Sequence, residues 1–293
     1  MSESVESLRK KIENATDLAG VVRTMKALAA SHLSQFEKSL QVLDEYDRTV
    51  ELGIYSCFFH KYKPGANIFT QQERDEADVI VFGTDQGLVG RFNEVIGGFT
   101  LDWLAQHPAK YNIWVVGERV EHIFSQAGVT LCGRFGVPGS VDKVTGLIGN
   151  ILGSIQSQTM YVFHNTMRPS RVIEPVMQAV LPLDALFLDK ILKKRWPSKN
   201  LPSVLGDPDT VFAACVREYI FVSLFRACVQ SLAGENASRL DAMQRAQKNI
   251  DEILDEFGQA YHRLRQTNID EELFDVIAGF EALMRERKKH SGT

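Results

Sequence analysis

Residues 240–268 read LDAMQRAQKNIDEILDEFGQAYHRLRQTN. Taken at Leu240, Met243, Gln247, Ile250, Leu254, Phe257, Tyr261, Leu264 and Asn268, the steps alternate between three and four residues, and seven of these nine are apolar. A mean period of 3.5 keeps such positions on one stripe of a helix, and the stripe is covered when a second helix lies along it. Asp241, Arg245, Lys248, Asp251, Glu252, Asp255, Glu256 and Arg263 fall between them and form a solvated outer face. From 209 to 287 there is no proline, and glycine occurs only at Gly234, Gly258 and Gly279. An unbroken helix over 208–287 would be roughly 120 Å long at about 1.5 Å per residue. That is too long for one compact core, so the spacing predicts a shaft.

A second helix with the same alternation is expected over residues 4–58. Leu8, Ile12, Ala15, Ala19, Val22, Ala29, Leu33, Phe36, Leu40 and Leu43 keep to the stripe, which is interrupted at Lys26. Ser2 and Ser4 are candidate N-caps, and Glu6 sits near the positive end of the helix dipole. Pro64 opens the first evident loop, KPGAN at 63–67. Two such helices, returning through an intervening domain, pair antiparallel. The expected seam buries Leu254 and Phe257 against the Val22 to Phe36 region. An ordinary helical bundle would need third and fourth helices, which the chain does not offer.

Between the helices the pattern changes. Ala77 to Gly83, Tyr111 to Val116, Val129 to Phe135 and Thr159 to His164 read as strands. Arg171 to Leu183 reads as a last strand, at an antiparallel edge. Arg91 to Gln106, Glu118 to Gln126 and Val141 to Ser157 read as helices between them. Strand and helix alternating at this spacing give an α/β domain with a mainly parallel sheet. Residues 183–208 form an irregular connector, with Pro182, Pro197, Pro202 and Pro208 and the basic run Lys193-Lys194-Arg195.

The 44% hydrophobic and 24% charged content is that of a water-soluble globular protein. A formal charge of −4 gives no reason to expect nucleic acid as partner. Cys57, Cys132, Cys215 and Cys228 are far apart and form no CxxC pair, which points to free thiols rather than a metal site or disulfide frame. No apolar run reaches membrane-span length, and the N-terminus lacks the features of a signal or transit peptide. A cytosolic, reduced protein is expected.

The stretch most inviting to a ligand is Gly83-Thr84-Asp85-Gln86-Gly87-Leu88-Val89-Gly90-Arg91, a turn between strand and helix. Its glycines are spaced G-x-x-x-G-x-x-G, unlike the dinucleotide fingerprint, and no P-loop occurs. Gly87 or Gly90 is expected at positive φ, or against another backbone, with no phosphate. The seven histidines are dispersed, and no nucleophile, base and oxyanion site assemble. No catalytic, cofactor-binding or metal site is expected.

Four separated motifs resemble one family. Thr24-Met25-Lys26-Ala27-Leu28-Ala29-Ala30-Ser31 is similar to K-A-M-x-M-V-A-A-S-K, and Thr84 to Asn93 to S-D-R-G-L-C-G-x-F-N. Glu235 to Met243 is similar to S-E-x-A-A-R-M-x-A-M, and Arg265-Gln266 to Leu283 to R-Q-A-x-I-T-Q-E-I-x-E-I-V-x-G-A-x-A-L. These are motifs of the gamma subunit of F-type ATP synthases, in the right order and covering most of the chain. The chain departs from them at Gln86, Asp270 and Phe280, where the family has arginine, threonine and alanine, so it resembles a divergent gamma.

The resemblance implies a fold: a long antiparallel coiled coil of terminal helices (1–60 and 208–288), a Rossmann-like α/β domain (75–185) and a connector (186–207). It implies a central-stalk rotor coupling transmembrane flow of hydrogen ions or sodium ions to ATP synthesis or hydrolysis, with no catalytic site of its own. The implied partners are the alpha and beta subunits of a catalytic ring, the epsilon subunit and the membrane c-ring. The implied location is peripheral, on the cytoplasmic face of a bacterial inner membrane. Met25, Lys26, Arg239, Gln266, Asp270 and Glu272 match ring-contact positions and are expected to be exposed. Asp85, Gly87, Gly90 and Asn93 match the turn at the stalk base. The alternative is a stand-alone α/β ligand-sensing module, using Gly83 to Gly90, with the coiled coil as a dimerisation arm.

Overall fold

The computed structural model describes residues 4–61, 76–168, 172–183, 187, 191, 193, 196–200 and 203–290, the side chains of 59–61 and 282–290 excepted. Ser2, the loop 63–67, Arg171, Lys194 and Arg195 lie outside the described residues. In chain order the elements are α1 (Val5–Lys61), β1 (Glu76–Phe82), α2 (Phe92–Gln106), β2 (Lys110–Val116), α3 (Glu118–Gln126) and β3 (Gly133–Phe135). They continue as α4 (Val141–Ser154), β4 (Met160–Met167), β5 (Ile173–Leu181) and α5 (Pro208–His290). The chain divides into two compact units, Leu28–Ala242 and Met1–Ala27 with Met243–Thr293.

In the first unit the sheet has the order β3-β2-β1-β4-β5. Its first three pairings are parallel, and β4 and β5 are antiparallel. β1 is central and reads as a continuous apolar run because both its faces are covered. The two-residue period sends Val79 and Val81 one way, onto Ile96 of α2 and Val120 and Phe124 of α3. It sends Ile80 and Phe82 the other way, into a core shared with Val144, Ile148 and Ile151 of α4. Leu33, Phe36 and Ile54 of α1 and Leu224, Val229 and Leu232 of α5 complete that core.

Several expected boundaries shift, each for a local reason. β3 begins at Gly133 rather than 129, because Gly128 and Val129 donate back to Ser125 and Phe124 and finish the α3 terminus. Gly133 then lies against the indole of Trp114, where a Cβ would be 2.8 Å from Cζ3. α4 stops at Ser154 rather than 157. The buried Asp78 carboxylate accepts the N–H groups of Gln156 and Ser157 at 3.2 and 2.8 Å and draws the chain toward β1. β4 runs on to Met167 because β5 pairs with it to Ile173.

Within the same unit α1 and α5 run antiparallel. Arg226 donates to Asp44, to the Leu43 carbonyl and to Asp47, while Phe58 meets Phe212 edge-on at 5.4 Å. The second unit has its own antiparallel pair. Ala19, Val22 and Met25 pack with Met243, Ala246, Ile250 and Leu254. The polar interruptions of the two stripes find each other, since Lys26 Nζ donates to Gln247 Oε1 at 3.1 Å. Ser4 caps α1, its Oγ accepting the Ser7 N–H at 3.2 Å.

Leu254 packs near Val22 as expected, but Phe257 does not. It is half-buried, with the Lys11 ammonium 5.4 Å above its ring. Once Gln247 faces Lys26, antiparallel order carries later residues of α5 toward earlier residues of α1. Phe257 therefore works through a cation–π contact and partial burial, and its truncation costs about 1–2 kcal/mol rather than the roughly 3 of a core phenylalanine.

His164 of β4 is buried in the first unit, its Nε2 2.8 Å from Gln230 Oε1 of α5 and its Nδ1 unpartnered. Burial pulls its pKa down from 6.5 to about 4, and the Gln230 bond offsets part of this. The unfolded chain therefore protonates this ring where the folded chain does not. The stability it contributes is complete above about pH 6.5 and is lost as the pH falls toward about 4. In urea unfolding at pH 7 and pH 5, the natural chain should lose about 2 kcal/mol more than His164→Gln. Equal losses would show that this ring is not held neutral.

Candidate functional site

The turn after β1 is built from its own side chains. Thr84 is fully buried, and its N–H donates to Asn93 Oδ1 at 3.0 Å. Asn93 Nδ2 donates to Thr84 Oγ1 at 2.9 Å, and that hydroxyl donates to the Gln86 carbonyl. Asp85 spans two neighbouring segments, with Oδ1 accepting the Glu118 N–H at 3.0 Å and Oδ2 the Val137 N–H at 2.8 Å. One carboxylate thus ties the turn to the start of α3 and to the loop before α4. Gly90 has φ +60°, as expected of that position. Leu88, at +62°, takes the same conformation. Gly87 lies against Arg119, where a Cβ would meet Nη2 at 3.3 Å. The N–H groups of Thr84, Glu118, Arg119 and Val137 are all bonded to protein acceptors.

This turn forms one wall of a cleft of about 160 Å³. Asp85 and Gln86 face His32 and Phe36 of α1 and Glu235, Asn236 and Arg239 of α5. Arg239 Nη2 donates to Glu235 Oε1 at 2.7 Å, one helical turn apart. Burial pushes the Glu235 carboxyl up, Arg239 beside it pulls it back, and the charge of Asp85 adds to the rise. Arg239 Nε and Asn236 Oδ1 are buried without a partner.

Asp85 and Arg239, assigned separately from sequence, therefore line one cleft, which Gly87, Gly90 and Asn93 do not line. Arg239 was expected to be exposed and is instead only 9% exposed. It lines the cleft beside His32 and Phe36 of α1 and Asp85 and Gln86 of the turn, and pairs there with Glu235. Met25 and Lys26 are also not free surface, being half-buried in the seam of the other unit. Gln266, Asp270 and Glu272 are exposed, as expected. Around them Ile269, Leu273, Phe274, Val276, Ile277 and Phe280 are exposed as well.

Sequence reading missed Glu235 and Asn165, whose Nδ2 donates to the Phe92 carbonyl at 2.9 Å. The four-residue step from Glu235 to Arg239 was a usable signal. Its burial was not, because that depends on where α5 lies against the sheet. Arg239→Ala leaves Glu235 buried and unpaired, so it should cost about 3 kcal/mol in chemical denaturation of the chain alone. Glu235→Gln combined with Arg239→Leu should recover most of that loss. A loss below about 1 kcal/mol for Arg239→Ala would mean the pair is solvated.

Among the described residues no helix is long and apolar enough to cross a membrane. A family model described as ATP synthase matches residues 4–283. The ATP synthase gamma chain of Legionella pneumophila (strain Corby) is 24% identical over 295 residues, covering 95% of this chain and 99% of that one. The ATP synthase gamma chain of Glaesserella parasuis serovar 5 (strain SH0165) is 23% identical over 288 residues, with the same coverage. Among solved structures, a chain of the Euglena gracilis mitochondrial ATP synthase, OSCP/F1/c-ring, in rotational state 3, superposes with a TM-score of 0.62. It is 13% identical, and the match covers 97% of this chain and 96% of that one. A chain of the Tetrahymena thermophila mitochondrial ATP synthase central stalk/c-ring superposes at 0.55 with 17% identity, covering 77% and 99%. The motifs at both ends, the sheet between two long helices and the near full-length match place the chain in the ATP synthase gamma-chain family, with the fold of a central-stalk subunit.

Proposed function

We propose that the chain is the rotor of an F-type ATP synthase, turning within a ring of alpha and beta subunits and coupling ion flow to ATP synthesis or hydrolysis there. The observation that carries this reading is the far end of α5. Ile269, Leu273, Phe274, Val276, Ile277 and Phe280 are 46–72% exposed on helical sequence. An exposed apolar cluster of this size needs cover from outside the chain. On this reading a surrounding ring of subunits supplies that cover.

On this reading Gln266, Asp270 and Glu272 touch the ring directly. Met25 and Lys26 act through the seam they help to hold, and Arg239 through the cleft at the turn. Residues 1–60 and 208–288 form the shaft, 75–185 the α/β domain and 186–207 the connector. The α/β domain, with Asp85, Gly87, Gly90 and Asn93 at its turn, faces the epsilon subunit and the c-ring. The chain itself hydrolyses nothing and sits peripherally on the cytoplasmic face of the inner membrane, held through the complex. Coupling is a population shift, in which the shaft favours one conformation of each catalytic subunit by differential contact. The N–H groups of Thr84, Glu118, Arg119 and Val137 are taken by protein acceptors and give the ligand-sensing alternative no support.

The test is ATP-driven ion pumping by vesicles reconstituted with the membrane sector, the alpha and beta subunits and variants of this chain. Asp270→Ala or Glu272→Ala alone should change pumping by less than about fivefold, since exposed ion pairs are each worth about 1 kcal/mol or less. Deleting residues from Gln266 onward removes the whole exposed face and should reduce coupled pumping by roughly tenfold or more. Undiminished pumping by the truncated chain would contradict the proposed role of this end.

A further inference from the structure

Cys57 of α1 and Cys215 of α5 belong to the same compact unit, and Cys215 Sγ lies against Gly53, one helical turn before Cys57. Cys57 is 2% exposed and Cys215 is half-buried. The helices come this close because residue 53 is glycine. A Cβ there would lie 3.0 Å from Cys215 Sγ. The Phe58 and Phe212 rings meet beside the pair, and further along Tyr46 bonds to Glu218, so the crossing is held on both sides. The other two cysteines differ in setting. Cys132 is exposed, and Cys228 is buried, its thiol pushed up by that burial.

We propose that Cys57 and Cys215 are a dithiol site, which a low-molecular-weight disulfide oxidises to an intramolecular cystine joining α1 to α5. Cys215 is the more accessible and reacts first. Its thiolate attacks one sulfur of the reagent, the reagent's S–S bond breaks, and one reagent thiolate leaves. The Cys57 thiolate then attacks the Cys215 sulfur and displaces the second reagent thiol. The two cysteines give up two protons and two electrons, and the reagent disulfide becomes two thiols. A cystine needs its two Cβ atoms within about 4.5 Å, an approach that the bare surface of Gly53 beside Cys215 Sγ leaves open. Burial, and then the neighbouring Cys215, hold the Cys57 thiol above its ordinary range, which makes the second displacement the slow one. The resulting bridge closes a loop of roughly 160 residues, a length at which a cross-link restricts the unfolded chain strongly.

The experiment uses the full chain carrying Cys132→Ser, which leaves three thiols, incubated with glutathione disulfide. Thiols are counted after denaturation, and digests are searched for linked peptides. Two thiols should disappear with no glutathione retained, and a peptide pair joining residues 57 and 215 should separate on reduction. The oxidised chain should also melt at a higher temperature than the reduced one. Adding Cys57→Ser should leave glutathione trapped on Cys215. If that variant does not fold, Cys215→Ser is the second probe and should lose no thiol. A stable glutathione adduct on Cys215 with Cys57 still free would overturn the proposal. So would a link to Cys228, or three thiols surviving prolonged exposure.

Discussion

A helix of 83 residues cannot bury its apolar stripe against a single neighbour, and this constraint on α5 organises the molecule. Between Val222 and Ala237 the stripe lies in the core that the sheet, α4 and α1 share. From Met243 to Leu254 it is covered by Ala19, Val22 and Met25 of α1. From Ile269 to Phe280 the apolar side chains stand exposed. One element thus passes from a fully buried environment, through a two-helix seam, to a surface that needs an outside partner. The first environment supplies stability, and the last supplies the reason for assembly.

Apolar stripes alone leave two antiparallel helices free to slip by a turn, and polar contacts remove that freedom. Arg226 reaches two carboxylates and a carbonyl of α1, and Lys26 reaches Gln247. Such contacts add little net stability, but slipping would leave them unpaired, and that penalty fixes the register. Asp78 and Asp85 play a similar part in the sheet domain. Each uses backbone N–H groups of a distant segment to fix where a helix ends or begins.

Long-range periodicity was legible in the sequence. The stripe beginning at Leu240 gave the helix and its need for a partner, and the apolar run Ala77 to Gly83 gave a strand. Register was harder to read. Phe257 was paired with the wrong stretch of α1, because a heptad pattern gives the face of a helix but not its alignment. Burial of polar groups was least visible. Arg239 looked like surface by its chemistry, and its place inside depends on α1 and the turn after β1, which meet it at the cleft. The early end of α4 had a similar cause, since it depends on a carboxylate 78 or more residues earlier in the chain. The cleft joining Asp85 to Arg239 could not be assembled from two motifs about 150 residues apart.

A rotor must turn relative to the subunits around it, and that motion is the central claim. Cys132 is exposed on the α/β domain and offers a point of attachment away from the helix pairs. A bead can be fixed there, in a chain carrying Cys215→Ser and assembled with immobilised alpha and beta subunits, and watched under saturating ATP. Rotation in one direction, stopping when ATP is removed, is the expected result. A bead that stays still while the same complexes hydrolyse ATP would contradict it.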